Sequence, residues 1–198
     1  QHLRAEPTRT RAAGIEAVLL WAAGLLDNVA PEARKRQLNQ MVRRMDWLPR
    51  RKPTEWKLFR VRPANHPARR ISGIAAVLAR TMDSDLSVNL ETALLAGGAV
   101  GVRDALVELP LIGAGRAAEI TMNVVLPYLN ARGVVSKAPP LAQKSLDEYR
   151  LAPPMAAYGS TRRFARSMGK KTDRSVITTA RRQQGLLHLQ KHLASAIE

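Results

Sequence analysis

Apolar side chains recur at helical spacing along this 198-residue chain, and this periodicity restricts its possible folds more than any other feature. One helical face is formed by four residues at positions i, i+3, i+4 and i+7, namely Ile71, Ile74, Ala75 and Leu78. The stretch from Leu38 to Met45 repeats this spacing. We see no convincing alternation with a period of two, as a half-buried strand would show. The sequence therefore predicts an all-α fold, a compact multi-helix domain of about seven to nine helices with proline-rich connectors.

Prolines and capping residues predict where the helices begin and end. The predicted helices are Thr10 to Asp27, Pro31 to Met45, Pro67 to Thr81, Asp85 to Ala96, Val102 to Leu109, Arg116 to Arg132, Pro140 to Arg150 and Arg174 to Ile197. We predict a helical scaffold over residues 1–152, with a basic corner at 34–70. Residues 153–198 then form a basic C-terminal segment and a closing helix, packed on the same domain.

Charge is high and unevenly distributed. Lys and Arg together number 32 against 16 Asp and Glu, which gives a formal net charge of +16. Residues 34–70 carry a net charge of +11 and residues 160–191 carry +8, whereas residues 81–135 carry −3. Such basic clustering predicts an acidic partner, and nucleic acid is the leading one. The chain has no cysteine, so disulfides and cysteine-based metal or nucleophile sites are excluded.

The basic corner contains the rigid stretch "RPANHP" followed by a helix start at Pro67. Arg69 and Arg70 lie in the first turn of that helix, where a cation is mildly unfavourable unless an anion is bound nearby. We expect structural roles for four residues of this corner, namely Trp56, Pro63, Asn65 and Pro67. Asn65 and His66 are expected to bond to the backbone of the turn. Arg60 and Arg62 either contact the partner or pair internally with Glu119 or Glu108.

The predicted nucleic-acid contacts lie in two blocks plus one isolated arginine. They are Arg34, Lys35, Arg36, Arg43, Arg44, Arg50, Arg51, Lys52, Arg60, Arg62, Arg69 and Arg70, then Arg116, then Arg162, Arg163, Arg166, Lys170, Lys171, Arg181 and Arg182. Those between 34 and 52 have few acids near them in sequence, so their neutralisation is expected to come from outside the chain. Arginine suits phosphate because its planar guanidinium can donate two parallel hydrogen bonds.

Other candidate sites have simpler interpretations. His188 and His192 are spaced as zinc ligands can be, but a solvated or capping pair is favoured because further ligands are missing. Asp83 and Asp85 precede an apolar helix, so they are interpreted as an N-cap and not as a metal site. The glycines before Arg116 could hold a phosphate, although a plain turn into a helix is favoured. We therefore predict no catalytic residue, no metal site and no cofactor.

Three blocks resemble the bacterial family known as domain of unknown function 2851. The matching residues are Trp56, Arg60, Arg62, Pro63, Ala64, Asn65, Pro67 and Arg70, then Gly115, Asn123, Pro127 and Leu129, then Gln184, Leu186 and Leu189. The resemblance covers about 47–193 and corresponds to the C-terminal helical half of the family only. It implies a missing N-terminal half, rich in strands and resembling a nuclease, and it brings no established activity.

Three function classes follow. The leading hypothesis is a helical nucleic-acid-binding module for RNA or DNA. The second is an accessory domain or subunit of a larger nuclease-like nucleoprotein assembly, with a separate protein supplying the missing half. The third is a binder of acidic proteins or anionic membranes, which the two separate basic blocks disfavour. The longest apolar run is too short to span a bilayer, so we expect a soluble, cytoplasmic protein.

Overall fold

The computed structural model describes residues 7–45, 65–155 and 177–195, together with Trp56, Leu58, Val61, Arg163, Arg166 and Ser167. Over these residues the chain forms seven α-helices and no strand, apart from a single bridge between Glu108 and Ile112. The predicted all-α class is confirmed. The helices are α1 (Thr8–Ala22), α2 (Glu32–Arg43), α3 (Pro67–Arg80), α4 (Leu86–Leu106), α5 (Ala114–Ile120, then a π-helical segment Thr121–Val125, then Leu126–Val135), α6 (Pro139–Leu151) and α7 (Ala180–Ser195).

Helix α4 departs from the prediction of two separate helices. It runs as one element but contains non-helical backbone angles at Gly98, with φ of 61° and ψ of −154°. This positive φ is costly for any residue with a Cβ atom, so glycine is required at the break. A Cβ at Gly98 would also lie only 2.5 Å from a carboxylate oxygen of Glu148. The non-helical connection predicted between residues 96 and 102 is therefore a break inside α4.

The chain folds into two compact units. Unit 1 comprises Gln1–Asn89 and Glu108–Gly113, and unit 2 comprises Leu90–Val107 and Ala114–Glu198. Because α4 crosses from one unit to the other, each unit is built from segments that are separate in sequence. Residue 152 lies inside unit 2, together with α6 and the closing helix α7.

Unit 1 is built from α1, α2 and α3, with α1 packed against both of the others. The α1 sequence places Ala13, Ala17 and Leu20 at i, i+4 and i+7, and all three are buried. They share one apolar cluster with Leu38 of α2 and Ala68 of α3. The predicted apolar face of α2 is confirmed because Leu38 is fully buried and Met41 and Val42 pack against the same cluster.

Unit 2 is centred on the last segment of α5 and on α6, which pack closely together. A Cβ at Gly133 would lie 2.6 Å from the backbone nitrogen of Ala142, so glycine allows the two helices to approach. Helix α7 packs on α6. The buried Gln183 of α7 fixes the chain after α6 by accepting a hydrogen bond from the Met155 backbone nitrogen at 2.8 Å.

No helix within the described part of the chain is both long enough and apolar enough to cross a membrane.

Candidate nucleic-acid interface

Helix α2 presents three exposed arginines on the side facing away from the apolar cluster. Arg36 and Arg43 are seven residues apart, so they lie on one stripe about 10 Å apart along the axis, and Arg44 follows directly at the C-terminal end. Across the described residues, Arg36, Arg43 and Arg44 have neither an ion pair nor a side-chain hydrogen bond. Within the described part of the chain, these three guanidinium groups are therefore exposed charges that no acid neutralises.

Two cations at the start of α2 are paired inside the chain, which corrects the expectation that they lack acidic neighbours. Arg34 forms an ion pair with Glu16 of α1 and donates a 2.7 Å hydrogen bond to Gln37. Lys35 lies 3.3 Å from Asp27, whose side chain is 91% exposed. The expectation was wrong because the acidic partners are not neighbours in sequence. They lie on α1 and in the turn after it, and the packing of α1 on α2 brings them close. Such an exposed pair as Lys35 with Asp27 contributes little to stability.

Glu16 is the acid that sequence reasoning missed in this region. It is only 7% exposed, and its second oxygen accepts a 2.7 Å hydrogen bond from the hydroxyl of Ser72 on α3. The sequence could have indicated this, because Glu16 lies three residues after Ala13 and one before Ala17, on the apolar face of α1. An acid on such a face indicates a buried partner.

The start of α3 also forms as predicted. His66 occupies the N-cap position, and its Nδ1 accepts a 3.3 Å hydrogen bond from the backbone nitrogen of Ala68, while Pro67 is the first helical residue. His66 therefore bonds to the turn backbone as expected. Asn65 contacts a side chain of the same helix start, since its Oδ1 accepts a 3.0 Å hydrogen bond from Arg70.

Arg69 and Arg70 are exposed and bind uncharged oxygen atoms. Arg69 donates to the backbone oxygen of Pro110 at 2.8 Å, and Arg70 donates to the Asn65 side chain. Both side chains are thus oriented by the protein without being neutralised by these bonds. They add two exposed positive charges to unit 1.

Trp56 was expected to have a structural role, but it is less buried than a residue of the protein interior. Its side chain is 41% exposed, and its Nε1 donates a 2.6 Å hydrogen bond to the backbone oxygen of Ala23 at the end of α1. A carbonyl at a helix C-terminus has no intrahelical partner, so this bond satisfies that oxygen and holds the Trp56 side chain at the end of α1. Trp56 is therefore anchored through a polar contact.

The candidates in unit 2 are less concentrated. Arg116 pairs with Glu119 one turn along α5. In unit 1, Glu108 pairs with Arg80 at 3.4 Å. Both acids that were considered as partners for Arg60 and Arg62 therefore have another partner. Four further arginines among the predicted contacts in unit 2 are exposed, namely Arg163, Arg166, Arg181 and Arg182. Arg182 donates to the Thr178 hydroxyl at 3.1 Å.

Nine predicted residues lie outside the described residues. They are Arg50, Arg51, Lys52, Arg60, Arg62, Pro63, Arg162, Lys170 and Lys171.

The structure describes both pairs of residues that were considered as metal ligands. Asp85 accepts a 2.7 Å hydrogen bond from the Ser87 backbone nitrogen and so caps α4 as predicted, whereas Asp83 pairs with Arg11 of α1. The rings of His188 and His192 lie edge to face, 4.3 Å apart. No group of three histidine, aspartate or glutamate side chains capable of holding a metal ion occurs in the portion of the chain that is described.

Comparison with known proteins identifies one family. The family model described as "Protein of unknown function (DUF2851)" matches residues 3–95, so the resemblance to this family is confirmed over that part of the chain. The match includes the block around Asn65 and Pro67, whereas the blocks around Asn123 and Gln184 lie beyond it. The expectation that only the C-terminal half of the family is represented is not supported. No curated protein and no solved structure matches the chain.

Proposed function

We propose that this chain binds nucleic acid by holding the phosphate backbone against the exposed arginines of α2. The observation that carries the proposal is that Arg36, Arg43 and Arg44 face away from the apolar cluster and have no acidic partner in the described parts of the chain. Keeping like charges close together on one helix lowers stability unless an anion is bound. A row of phosphates supplies such anions.

The chemistry of these side chains suits phosphate. Each guanidinium presents several donors in a plane and matches two oxygens of one phosphate. Arg69 and Arg70, which are held by Pro110 and Asn65, add two further charges in the same unit. Binding of this kind reads the backbone and not the bases, so we expect RNA and DNA both to bind, with little preference for sequence.

The test is a salt titration of binding to fluorescently labelled 20-nucleotide RNA, single-stranded DNA and duplex DNA. For about 6 to 10 phosphate contacts, affinity should fall by about 10³ to 10⁵ between 50 and 200 mM salt. Replacing both Arg36 and Arg43 by Gln should reduce the slope of log K against log salt by about 2, since each lost contact contributes about 0.9. The melting temperature should not fall, because neither side chain has a partner to lose among the described residues.

The matched control removes the same charge elsewhere. Arg132→Gln with Arg150→Gln also lowers the net charge by two, but both arginines pair with acids, Glu91 and Asp147. We expect this pair to leave the salt slope unchanged. Equal losses from the two double variants would show that net charge alone drives binding. Binding without salt dependence, or binding only to anionic vesicles or acidic peptides, would refute the proposal.

A further inference from the structure

Unit 2 contains a pocket of about 250 Å³ that plays no part in the basic surface. It is lined by the second half of α4, by α5 including its π-helical segment, by the end of α6 and by the chain that follows. Most of the lining is apolar, including Val100, Ala118, Met122, Leu151 and Met155. Pockets for drug-sized ligands begin at about 300 Å³, so this one suits a smaller molecule.

Two backbone irregularities meet at this pocket. One is the break in α4 at Gly98, directly before the lining residue Ala99. The other is the π-helical segment of α5, which contributes Thr121 and Met122 to the lining. π-helical turns inside α-helices occur frequently at functional sites, and unusual backbone angles also cluster at ligand sites. Their coincidence at one apolar pocket points to a ligand.

The pocket holds one negative and one positive side chain. Glu148 of α6 accepts a 2.9 Å hydrogen bond from the backbone nitrogen of Ala99, which fixes its carboxylate beside α4. Arg103 lies four residues further along α4 than Ala99, which is about 6 Å along the axis and close to the same face. A ligand lying along this part of α4 would meet the carboxylate near one end and the guanidinium near the other.

The present partners of these two groups are replaceable. Glu148 pairs at 2.8 Å with Lys144, one turn earlier on α6, and Arg103 pairs at 2.8 Å with its neighbour Asp104. Both partners have substantial solvent exposure, and ion pairs of this kind contribute only about 0 to 1 kcal/mol. Their exchange for a bound ligand therefore costs little.

We propose that this pocket binds a small zwitterion with an apolar side chain, that is, a free α-amino acid of the leucine or methionine type. The ammonium group lies against Glu148, the carboxylate lies against Arg103, and the side chain packs among Met122, Leu151 and Met155. A simple carboxylate would place its charge near Glu148 without a compensating ammonium, and a simple amine would face Arg103 without a carboxylate. Only a ligand with both charges complements both residues.

Isothermal titration calorimetry of the full chain tests this directly. L-leucine and L-methionine should each give saturable binding. The analogue 4-methylpentanoate lacks the ammonium group and 3-methylbutylamine lacks the carboxylate, so each should bind about tenfold or more weakly, as expected for the loss of one charged hydrogen bond. Lysine and aspartate, whose side chains are charged, should bind more weakly than leucine because the lining is apolar.

Two variants locate the binding. Ala118→Leu fills the pocket from α5, where leucine is a good helix former, and should abolish leucine binding. Arg103→Gln should weaken leucine binding about tenfold or more, whereas it should strengthen binding of 3-methylbutylamine because a like charge is removed. Arg150→Gln removes an exposed arginine that does not line the pocket and should have no effect. Circular dichroism shows whether each variant is folded. If Ala118→Leu does not fold, the effect of Arg103→Gln on leucine binding alone tests the location of the site.

Three results would overturn the proposal. The first is the absence of saturable heat with either amino acid. The second is binding of 4-methylpentanoate or 3-methylbutylamine as tight as that of leucine. The third is leucine binding that is unaffected by Arg103→Gln in a folded protein. None of these results bears on nucleic-acid binding, which involves other residues.

Discussion

Glu16 in unit 1 and Glu148 in unit 2 both use a carboxylate to hold helices in place, but they bind different kinds of partner. Glu16 contacts two side chains, Arg34 of α2 and Ser72 of α3. Glu148 contacts one side chain, Lys144, and the backbone nitrogen of Ala99 at the break in α4. In unit 1 the acid joins three regular helices, whereas in unit 2 it satisfies a backbone donor that an interrupted helix leaves open.

This difference shows that the partner of a buried carboxylate depends on whether the neighbouring helices are regular or interrupted. The helices of unit 1 bond their own backbones, so a buried acid must be satisfied by side chains from the neighbouring helices. The break at Gly98 begins a new helical stretch whose first N–H groups lack internal acceptors. A carboxylate placed there also interacts favourably with the helix dipole. Loss of Glu16 should therefore damage tertiary contacts, and loss of Glu148 should damage one helix.

The largest effect is expected for Glu16→Ala. It leaves Arg34, whose side chain is only 32% exposed, without its ion-pair partner, and it removes the acceptor of Ser72. We expect a loss of about 3 kcal/mol, the low end for breaking a buried pair, because Arg34 can reach water. All three tryptophans lie within residues 1–89, so urea unfolding followed by tryptophan fluorescence reports on unit 1.

The control for Glu16 is Glu32→Ala, which removes an exposed acid from the first turn of α2 and should cost less than about 1 kcal/mol. Similar losses from the two variants would mean that Glu16 acts only through its charge and not as a bridge between helices.

A smaller effect is expected for Gly98→Ala. Alanine at φ of 61° costs about 1 to 2 kcal/mol, and its Cβ would displace the Glu148 carboxylate, so we expect a loss of about 2 kcal/mol. Hydrogen exchange of the unit 2 amides, measured by mass spectrometry, should show faster exchange in the second half of α4. Protection of unit 1 amides should not change.

The neighbouring residue provides a matched control for Gly98. A Cβ at Gly97 meets nothing within 4 Å, so Gly97→Ala should leave stability unchanged or raise it by up to about 1 kcal/mol. If both alanine variants have the same stability, the break in α4 does not require glycine.

The smallest effect is expected for Glu148→Gln and should depend on pH. Burial raises the pKa of Glu148, but the hydrogen bond from Lys144, the bond from the Ala99 backbone and the charge of Lys144 outweigh it, so the pKa lies below its usual 4.5. A carboxyl with a lowered pKa stabilises the fold above its unfolded-state pKa, and this stabilisation is lost as the pH falls through the folded-state value. We expect a cost of about 1 kcal/mol at pH 7 that disappears in acid.

The measurement compares the unfolding free energies of Glu148→Gln and the unsubstituted protein between pH 7 and pH 3, again by hydrogen exchange in unit 2. Asp147→Asn, which changes an exposed neighbour, should show no comparable pH dependence. A difference that stays constant down to pH 3, or grows in acid, would show that the carboxylate does not act in its ionised form.

The helical class of the fold and the apolar faces of individual helices followed from the sequence because both depend on local spacing. The apolar face of α2, the N-cap at His66 and the start of α3 at Pro67 are set by residues within one or two turns of each other. The exposed position of Arg36 and Arg43 follows from the same pattern, since residues opposite an apolar stripe face water. A single sequence carries all of this information.

Which charges are neutralised was decided by the tertiary structure. Arg34 and Arg36 are indistinguishable by local sequence, yet Arg34 pairs with an acid 18 residues earlier because α1 packs on α2, and Arg36 points away. Likewise Gly98 and Glu148 are 50 residues apart and come together only when α6 packs beside α4. Helix formation depends on neighbouring residues, whereas pairing of buried charges depends on which helices meet, and spacing along one helix does not contain that information.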